Sequence, residues 1–277
     1  TMRNTAPCIA YAAFKVHSQN TEANMIVAPS DHLITNENEF IRVINDCLKA
    51  SAKENSLLTL GIKPNRPDTG YGYIQYNEHS LANHADIKKV KTFTEKPNQD
   101  LALQFLDSGD FLWNSGIFIW RAEAVILSIR KHLRDLYDVF EAGNEYYNTP
   151  EETEFIDRVF PGCKSISVDY GLMENSDKVY VYPADFGWSD LGTWGSLYTH
   201  LEMDDNNNGV IGDNVMLYNS SGNIVTVPKD KLVVLQGLDG YIVVESNNTL
   251  LICKKDDEQQ IKQFVADVKR EKGEGFA

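Results

Sequence analysis

The sequence predicts an α/β protein whose longer first part forms a layered sheet and whose last part is rich in β-strands. Short apolar runs alternate with amphipathic stretches over residues 25–62, which favours strand–helix–strand units. A polar run at residues 204–209 interrupts this pattern, and short β-type segments separated by turn residues follow it. We therefore expect one domain over residues 1–203 and a second, β-rich domain over residues 204–277.

Two helices near the start of the chain are predicted from their caps and their apolar faces. Thr5 precedes a stretch in which Ile9, Ala10, Ala13 and Phe14 follow helical spacing, so Thr5 is assigned as the N-cap. Asn36 and Glu39 have the spacing of a capping pair for the second helix. The apolar face of this second helix comprises Phe40, Val43, Ile44, Cys47 and Leu48.

Apolar runs bounded by turn residues predict the strands. Residues 25–28 end at Pro29, and residues 57–62 are almost wholly apolar, so both are predicted as buried strands and the first as parallel to its neighbour. Further strands are expected at residues 71–76, 90–94, 116–120 and 178–182, and further helices at residues 98–106, 122–140 and 256–272.

Composition and charge narrow the classes of function. The 277 residues are 42% hydrophobic and 24% charged, which is typical of a globular protein, and the formal net charge is -14. An acidic surface repels nucleic acid and anionic membranes, so neither is expected as a partner. It also repels anionic substrates, so a function on phosphates requires a metal ion or a local positive group within the site.

Cysteine spacing and the absence of long apolar runs indicate a cytoplasmic protein. No apolar run approaches the roughly 20 residues of a membrane span, and no signal-peptide pattern opens the sequence. The four cysteines, Cys8, Cys47, Cys163 and Cys253, are far apart and form no C-x-x-C pair, which argues against zinc and redox motifs. We expect reduced thiols, most of them buried.

Two aspartates are candidates for holding a metal ion. Asp31 follows the strand predicted at residues 25–28, and ligands of open α/β sheets bind beyond the carboxyl ends of the strands. A carboxylate at that place suits Mg²⁺, which also holds substrate phosphates. Asp190 is the second candidate. Each has a simpler interpretation, Asp31 as a cap or turn residue and Asp190 as the cap of a helix that begins near Thr193.

Polar residues beside three other strands could bind a substrate. Lys96 offers a positive charge to a phosphate, and Glu95 can accept hydrogen bonds from sugar hydroxyls, although a solvated pair before a turn is an equal alternative. The glycines around Tyr71, including Gly72, let a backbone approach a ligand closely or simply form a tight turn. Asn114 can both donate to and accept from hydroxyls, or it can be a polar entry to an apolar strand.

Seven short segments of the sequence form a pattern when they are taken together and in order. They are residues 3–7 (RNTAP), 28–32 (APSDH), 66–74 (RPDTGYGYI), 93–97 (FTEKP), 113–116 (WNSG), 167–171 (SVDYG) and 186–192 (FGWSDLG). In combination they resemble the mannose-1-phosphate guanylyltransferase family. The resemblance covers about residues 1–200 and, more loosely, the β-rich remainder.

The resemblance implies a nucleotidyltransferase fold with a Rossmann-like mixed sheet and a small C-terminal β-helix-like domain. It implies GTP and mannose 1-phosphate as substrates and Mg²⁺ as the cofactor, and it leaves a homodimer open. The implied catalytic residues are Lys96, Asp31 and Asp190, of which the two aspartates hold the metal. The implied contacts with the sugar come from Tyr71, Gly72, Glu95, Asn114, Gly116 and Asp169, and those with the nucleotide from Arg3, Asn4, Thr5, Ser30 and Asp31.

One departure from the family and two alternatives accompany this interpretation. Members of the family open with a glycine-rich loop that binds the triphosphate, and no segment of this sequence matches that loop. We therefore expect a truncated form that is catalytically silent by itself, and no isomerase domain after residue 277. The alternatives are another sugar-1-phosphate nucleotidyltransferase and a non-catalytic module that binds sugar phosphates.

Overall fold

The computed structural model describes residues 2–53, 55–246 and 248–276. The chain divides into two compact units, Thr1–Trp188 and Ser189–Ala277. The boundary expected from the sequence, between residues 203 and 204, falls within the second unit. Among the described residues, no helix has the length and apolar character that crossing a membrane requires.

The first unit alternates helices and strands. Its helices are α1 (Thr5–Gln19), α2 (Glu37–Ser51), α3 (Gln99–Ser108), α4 (Ala122–His132), α5 (Arg134–Glu141) and α6 (Glu152–Val159). Its strands are β1 (Asn24–Val27), β2 (Leu33–Ile34), β3 (Leu57–Ile62), β4 (Gly72–Leu81), β5 (His84–Glu95), β6 (Phe111–Arg121) and β7 (Val179–Ala184). A single π-helical turn covers Asp169–Met173. The short strand β8 (Trp188–Ser189) crosses into the second unit.

Six strands form one mixed sheet in the order β1-β6-β3-β7-β5-β4, and β4 also pairs with β6. Strands β3 and β7 are parallel, with Leu57 opposite Val179, whereas the other pairs are antiparallel. The mixed sheet is the one that the resemblance implied. The prediction that β1 is a buried parallel strand is wrong, because β1 lies at the sheet edge, antiparallel to β6, and Ile26 is 46% exposed. An apolar run does not encode the direction of its neighbour.

Helices cover both faces of this sheet. Leu57 of β3 packs into a core with Phe14 of α1, Ile129 of α4 and Phe140 of α5. The next residue, Leu58, points to the opposite face and packs with Val43 and other residues of α2. This alternation is the two-residue period of a strand that is buried on both sides, and it produces the three layers of an α/β unit.

Two local predictions about helices need correction. Asn4, not Thr5, is the N-cap of α1, and its side chain accepts a hydrogen bond from Thr5 N. The single helix expected at residues 122–140 is divided into α4 and α5, because the backbone of Leu133 leaves the helical region with φ -133° and ψ 58°. By contrast, Asn36 caps α2 by accepting a hydrogen bond from Glu39 N at 3.2 Å, as the capping pair predicted.

The second unit has β-helix-like stacking of parallel strands. Its elements are α7 (Trp194–Tyr198), β9 (Gly209–Ile211), β10 (Val215–Tyr218), β11 (Ile224–Thr226), β12 (Val233–Gln236), β13 (Tyr241–Ser246), β14 (Thr249–Lys254) and α8 (Ile261–Lys272). Strands β9, β11 and β13 stack in parallel, as do β10 and β12, and their inward side chains, such as Val225 and Val243, form a separate core. Strand β14 pairs antiparallel with β13, and an isolated antiparallel bridge joins Met203 to Gly209 of β9.

Candidate active site

Four polar residues that the sequence singled out meet beside the paired ends of β4, β5 and β6. Glu95 and Lys96 close β5, Asn114 lies near the start of β6, and Asp169 begins the π-helical turn. We call these four residues the Glu95 cluster. Gly72 opens β4 directly opposite Glu95, which places the backbone of β4 against the cluster.

The Glu95 carboxylate is almost buried and only half satisfied. Its side chain is 7% exposed, and Oε1 accepts from Lys96 Nζ at 2.9 Å. The second oxygen, Oε2, is buried without a hydrogen-bond partner among the described residues. Gly72 makes room for this oxygen, since a Cβ at that position would lie 2.5 Å from it. The cluster therefore presents an acceptor for a donor that a ligand would bring.

Asn114 and Asp169 form the second half of the cluster. Asn114 Nδ2 donates to Asp169 Oδ1 at 2.9 Å, and Asn114 Oδ1 accepts from Thr59 Oγ1 at 2.8 Å. Burial, followed by the nearby Glu95 carboxylate, raises the pKa of Asp169 to about 6, against the lowering effects of Asn114 and Lys96. Near neutral pH a proton on Asp169 is therefore readily exchanged, and the group can donate or accept.

Lys96 places a positive charge beside the carboxylates of Glu95 and Asp169. Burial opposes its charged form, but the hydrogen bond with Glu95 and the charges of Glu95 and Asp169 raise the pKa of Lys96 above its ordinary value. The side chain is 55% exposed, so its ammonium group stays charged and accessible. The backbone of Lys96 is in the left-handed region, φ 48°, and its amide donates to Tyr71 O at 3.2 Å.

Tyr71 belongs to an aromatic group that borders the cluster. Its ring contacts Trp113 and Trp188, with centroid distances of 4.9 and 5.4 Å. The Arg66 guanidinium lies over the rings of Tyr71 and Trp113 and pairs with the buried carboxylate of Asp68 at 2.8 Å. Tyr71 is thus held as a packed residue, and its backbone is the part that faces Lys96.

The loop that carries Ser30 and Asp31 lies beside β6. Gly116 has φ 71°, and a Cβ built on it would lie 3.7 Å from Pro29 Cγ and 4.0 Å from His32 Cε1. Ser30 and Asp31 are exposed. His32 accepts a hydrogen bond from Trp188 Nε1 at 3.0 Å, as expected of a packed loop histidine. The loop after β1 is thereby placed next to the strand that carries Asn114.

The N-terminal segment contacts the chain that leads to Asp169. Arg3 donates to Pro161 O, and Thr5 Oγ1 accepts from Val168 N at 2.8 Å. Asn4 adopts φ 64° as the N-cap of α1. The residues that the resemblance assigns to the nucleotide therefore lie on the segment that contacts the chain immediately before one of the cluster residues.

Asp190 belongs to the second unit, whereas the other candidates belong to the first. Its Oδ1 accepts from Gly192 N at 3.1 Å. It is not the cap of α7, because Thr193 fills that role in a capping box with Ser196. Among the described residues, no group of three or more His, Cys, Asp or Glu side chains is arranged to hold a metal ion.

Two residues that contact the Glu95 cluster were not predicted from the sequence. Thr59 is fully buried in β3 and positions Asn114, and Glu174 Oε1 accepts from Glu95 N at 3.2 Å. Thr59 did carry a signal, since it is a hydroxyl within the apolar run LLTLGI. A polar side chain in a strand that is buried on both faces needs a partner, and here that partner is Asn114.

Two families match consecutive parts of the chain. The nucleotidyl transferase family matches residues 1–207, and the MannoseP isomerase/GMP-like beta-helix domain matches residues 213–268. The two matches cover the mixed sheet and the stacked parallel strands described above.

Curated relatives align over nearly the whole chain. Alginate biosynthesis protein AlgA of Pseudomonas putida is 34% identical over 264 residues, which cover 95% of this chain and 54% of the relative. Mannose-1-phosphate guanylyltransferase of Salmonella montevideo is 35% identical over 275 residues, which cover 97% of this chain and 57% of the relative. The chain thus spans little more than half the length of these relatives.

A solved structure shares the fold. The crystal structure of a protein named mannose-1-phosphate geranyltransferase, from Thermus thermophilus, superposes with a TM-score of 0.80 at 24% identity, covering 97% of this chain and 76% of that one. The likeness extends over both units of the chain, so the sheet and the β-helix-like region occur together in that protein as well.

Proposed function

The chain belongs to the nucleotidyl transferase family, and on that premise we propose that it provides the sugar-phosphate site of a mannose-1-phosphate guanylyltransferase. The reaction joins GTP and mannose 1-phosphate into GDP-mannose and releases pyrophosphate. Its support is the name of the Salmonella montevideo relative, together with the chemistry of the Glu95 cluster. Both substrates are charged phosphates, which do not cross membranes, and the reaction is accordingly assigned to the cytoplasm.

The observation that carries this proposal is the half-satisfied Glu95 carboxylate beside an exposed ammonium group. A hexose phosphate has hydroxyls that donate hydrogen bonds and a phosphate that seeks a cation. Glu95 Oε2 needs a donor, and Lys96 Nζ lies 2.9 Å from the other oxygen of the same carboxylate. Asn114 and the backbone of Tyr71 and Gly72 would complete the sugar contacts.

The nucleotide and the metal are assigned to the surrounding residues. Arg3, Asn4 and Thr5 would contact the guanine end, and Ser30 and Asp31 the phosphates. Asp31 and Asp190 would hold Mg²⁺. Their carboxylate oxygens fit its preference for hard oxygen ligands, because this ion is usually bound by one or two carboxylates together with substrate phosphates and water. When bound, Mg²⁺ would offset the charge of the phosphates.

The residues of this chain would act by orientation and by electrostatics. An oxygen of the sugar phosphate attacks the α-phosphorus of GTP in line, and the bond to pyrophosphate breaks. Lys96 would hold the attacking phosphate, while Glu95 and Asn114 fix the sugar hydroxyls so that the oxygen faces the phosphorus. No general base is needed, because a sugar phosphate is already ionised near neutral pH.

Binding of mannose 1-phosphate tests this assignment and separates the sugar half of the site from the nucleotide half. In calorimetric titrations of the chain, we expect saturable binding of mannose 1-phosphate and weaker binding of glucose 1-phosphate. Lys96→Gln should weaken the binding of mannose 1-phosphate on the order of tenfold or more, because a charge-assisted contact to the phosphate is lost. The exposed lysine Lys91 of β5 provides the matched control, and Lys91→Gln should bind like the parent chain.

Two results would contradict the assignment. One is an unchanged affinity of Lys96→Gln for mannose 1-phosphate. The other is equal affinity for mannose 1-phosphate and glucose 1-phosphate, which would favour a different sugar-1-phosphate nucleotidyltransferase. Calorimetric titrations with GTP, UTP and dTTP then compare the affinities for the nucleotides without requiring turnover by this chain.

A further inference from the structure

A polar cavity lies at the end of the mixed sheet opposite the Glu95 cluster. It has a volume of about 400 Å³ and opens where β3 and β7 begin and β6 ends. Its lining residues are Lys53, Asn55, Ser56, Leu81, Arg121, Lys178 and Tyr180. We call it the basic cavity. No segment of the family pattern contributes to it.

Positive charge is concentrated in this cavity, although the chain as a whole carries a net charge of -14. Three of its seven lining residues are cationic. Neither Lys53 nor Lys178 forms an ion pair within the part of the chain that the structure describes. Arg121 pairs through Nη2 with Glu22 and Glu123, at 3.0 and 3.3 Å. Two ammonium groups thus remain for a bound anion to contact.

Two buried donors in the cavity are unsatisfied. Ser56 is 2% exposed, and its Oγ has no hydrogen-bond partner among the described residues. Arg121 Nε is also buried without an acceptor in the same set of residues. Leaving such a group unpaired costs on the order of 1–3 kcal/mol, more when it is charged, so an acceptor supplied by a ligand would be stabilising here. A ligand with several acceptor oxygens would satisfy them together.

We propose that the basic cavity is a binding site for a small phosphate-bearing anion, separate from the Glu95 cluster. A phosphate group offers oxygens in several directions, which suits a cavity lined by a hydroxyl, a guanidinium and two ammonium groups from different elements. The seven-residue step along β6 from Asn114 to Arg121 corresponds to about 23 Å at roughly 3.3 Å per residue, so one sugar phosphate cannot reach both sites.

The apolar part of the lining leaves room for an organic group on the phosphate. Leu81 is 6% exposed, and Tyr180 presents a ring that the Lys89 ammonium already contacts from 4.6 Å. Free phosphate would use only the polar wall, whereas a phosphate ester would also contact these side chains. The two sources share one recognition chemistry and differ in how much apolar surface they bury.

Titration calorimetry with inorganic phosphate tests the proposal. The titrations use the 277-residue chain with Lys96→Gln, which removes the phosphate contact proposed at the Glu95 cluster. We expect saturable phosphate binding that weakens at least about tenfold in Lys53→Gln/Lys178→Gln, since two charges close to a dianion are lost. Lys91→Gln is the matched control and should leave the affinity unchanged. Chloride at equal ionic strength should not compete.

Ser56→Ala distinguishes a ligand contact from a structural role. Removing an unpaired buried hydroxyl should leave the thermal midpoint of the phosphate-free protein unchanged or slightly higher, while phosphate affinity falls several-fold. A parallel titration with glycerol phosphate identifies the source: if it binds more tightly than free phosphate, and Lys53→Gln/Lys178→Gln weakens both, its organic part lies against Leu81 and Tyr180. Absence of saturable phosphate binding, or equal affinity in the parent and the double lysine variant, would overturn the proposal.

Discussion

The two ends of strand β6 differ in the kind of polar atom that each leaves unsatisfied. At the end near Asn114, the buried atoms without a partner among the described residues are a carboxylate acceptor, Glu95 Oε2, and an indole donor, Trp113 Nε1. At the end near Arg121, the corresponding atoms in the described chain are all able to donate: Ser56 Oγ, Arg121 Nε and Trp120 Nε1. The first end therefore suits a ligand that donates, such as a sugar hydroxyl, and the second suits one that accepts, such as a phosphate oxygen.

The same comparison explains how an acidic chain can hold phosphates at all. At the Glu95 cluster a single ammonium group, Lys96, lies among carboxylates, so it can orient a phosphate but offsets little charge. In the basic cavity all three charged lining residues are cations, and Leu81 and Tyr180 supply the apolar surface. We infer that the first end derives selectivity from hydroxyl contacts and the second from charge. Variants at one end should therefore leave binding at the other end unchanged.

The largest effect is expected from Gly72→Ala. The added Cβ would lie 2.5 Å from Glu95 Oε2 and 3.4 Å from Asn114 Cβ, and the nearly buried Glu95 side chain has little space to move. Overpacking of this kind costs about 1–3 kcal/mol, so affinity for mannose 1-phosphate should fall up to about 100-fold in calorimetric titrations. Phosphate binding in the basic cavity should not change.

Gly162→Ala is the matched control, since a Cβ at that position meets no atom within 4 Å. It should retain the affinity of the parent chain for mannose 1-phosphate. An unchanged affinity of Gly72→Ala would show that the Glu95 carboxylate is not where the sugar binds, and the contrast between the two ends of β6 would lose its first half.

A smaller effect concerns the pH dependence of stability at Asp169. Its pKa is raised to about 6 in the folded protein, above the usual 3.8, so the folded state binds the proton more tightly than the unfolded state. The resulting stability is present at low pH and is lost as the pH rises through about 6. Between about pH 4.5 and pH 7 this loss amounts to about 2 kcal/mol. Asp169→Asn should remove it.

Urea unfolding at the two pH values measures this difference. The free energy of unfolding of Asp169→Asn relative to the parent chain should rise by about 2 kcal/mol from about pH 4.5 to pH 7. Asn keeps the oxygen that accepts from Asn114 Nδ2, so the packing of the cluster is preserved. The exposed Asp107 of α3 supplies the control, Asp107→Asn. If the difference in the free energy of unfolding between Asp169→Asn and the parent chain is the same at both pH values, the pKa of this carboxylate is not raised.

The sequence predicted the parts of the fold that local chemistry determines. The cap at Asn36 and the strand at residues 57–62 are found where they were predicted, because a side-chain cap and an apolar run act over a few neighbouring residues. The break between α4 and α5 was missed. Leu133, where it occurs, is a good helix former with no glycine or proline beside it, so helix propensity does not predict the break.

The residues of the Glu95 cluster could be predicted from the sequence, whereas those of the basic cavity could not. Glu95, Lys96 and Asn114 were singled out as polar residues beside predicted strands, and Asp169 because it lies in a segment of the family pattern. The residues of the basic cavity lie in no such pattern, and its cations are ordinary residues at the ends of elements. Their charge becomes informative only when the sheet brings them together, since two unpaired donors within one cavity cannot be read from spacing.

The smallest effect is expected from Thr59→Val, which tests whether the Thr59 hydroxyl positions Asn114 in the Glu95 cluster. Thr59 Oγ1 lies 2.8 Å from Asn114 Oδ1 and 3.1 Å from Ile117 O, so one hydroxyl proton serves two buried acceptors. Valine removes this donor at nearly constant volume, which should lower the free energy of unfolding by about 1–2 kcal/mol. Affinity for mannose 1-phosphate should fall only a few-fold, because Asn114 Nδ2 still donates to Asp169. Thr59→Ser keeps the hydroxyl and loses a methyl group, so it should lose stability without losing affinity. If Thr59→Ser and Thr59→Val weakened the binding of mannose 1-phosphate equally, packing rather than the hydrogen bond would position Asn114. The role that we assign to the Thr59 hydroxyl would then be wrong.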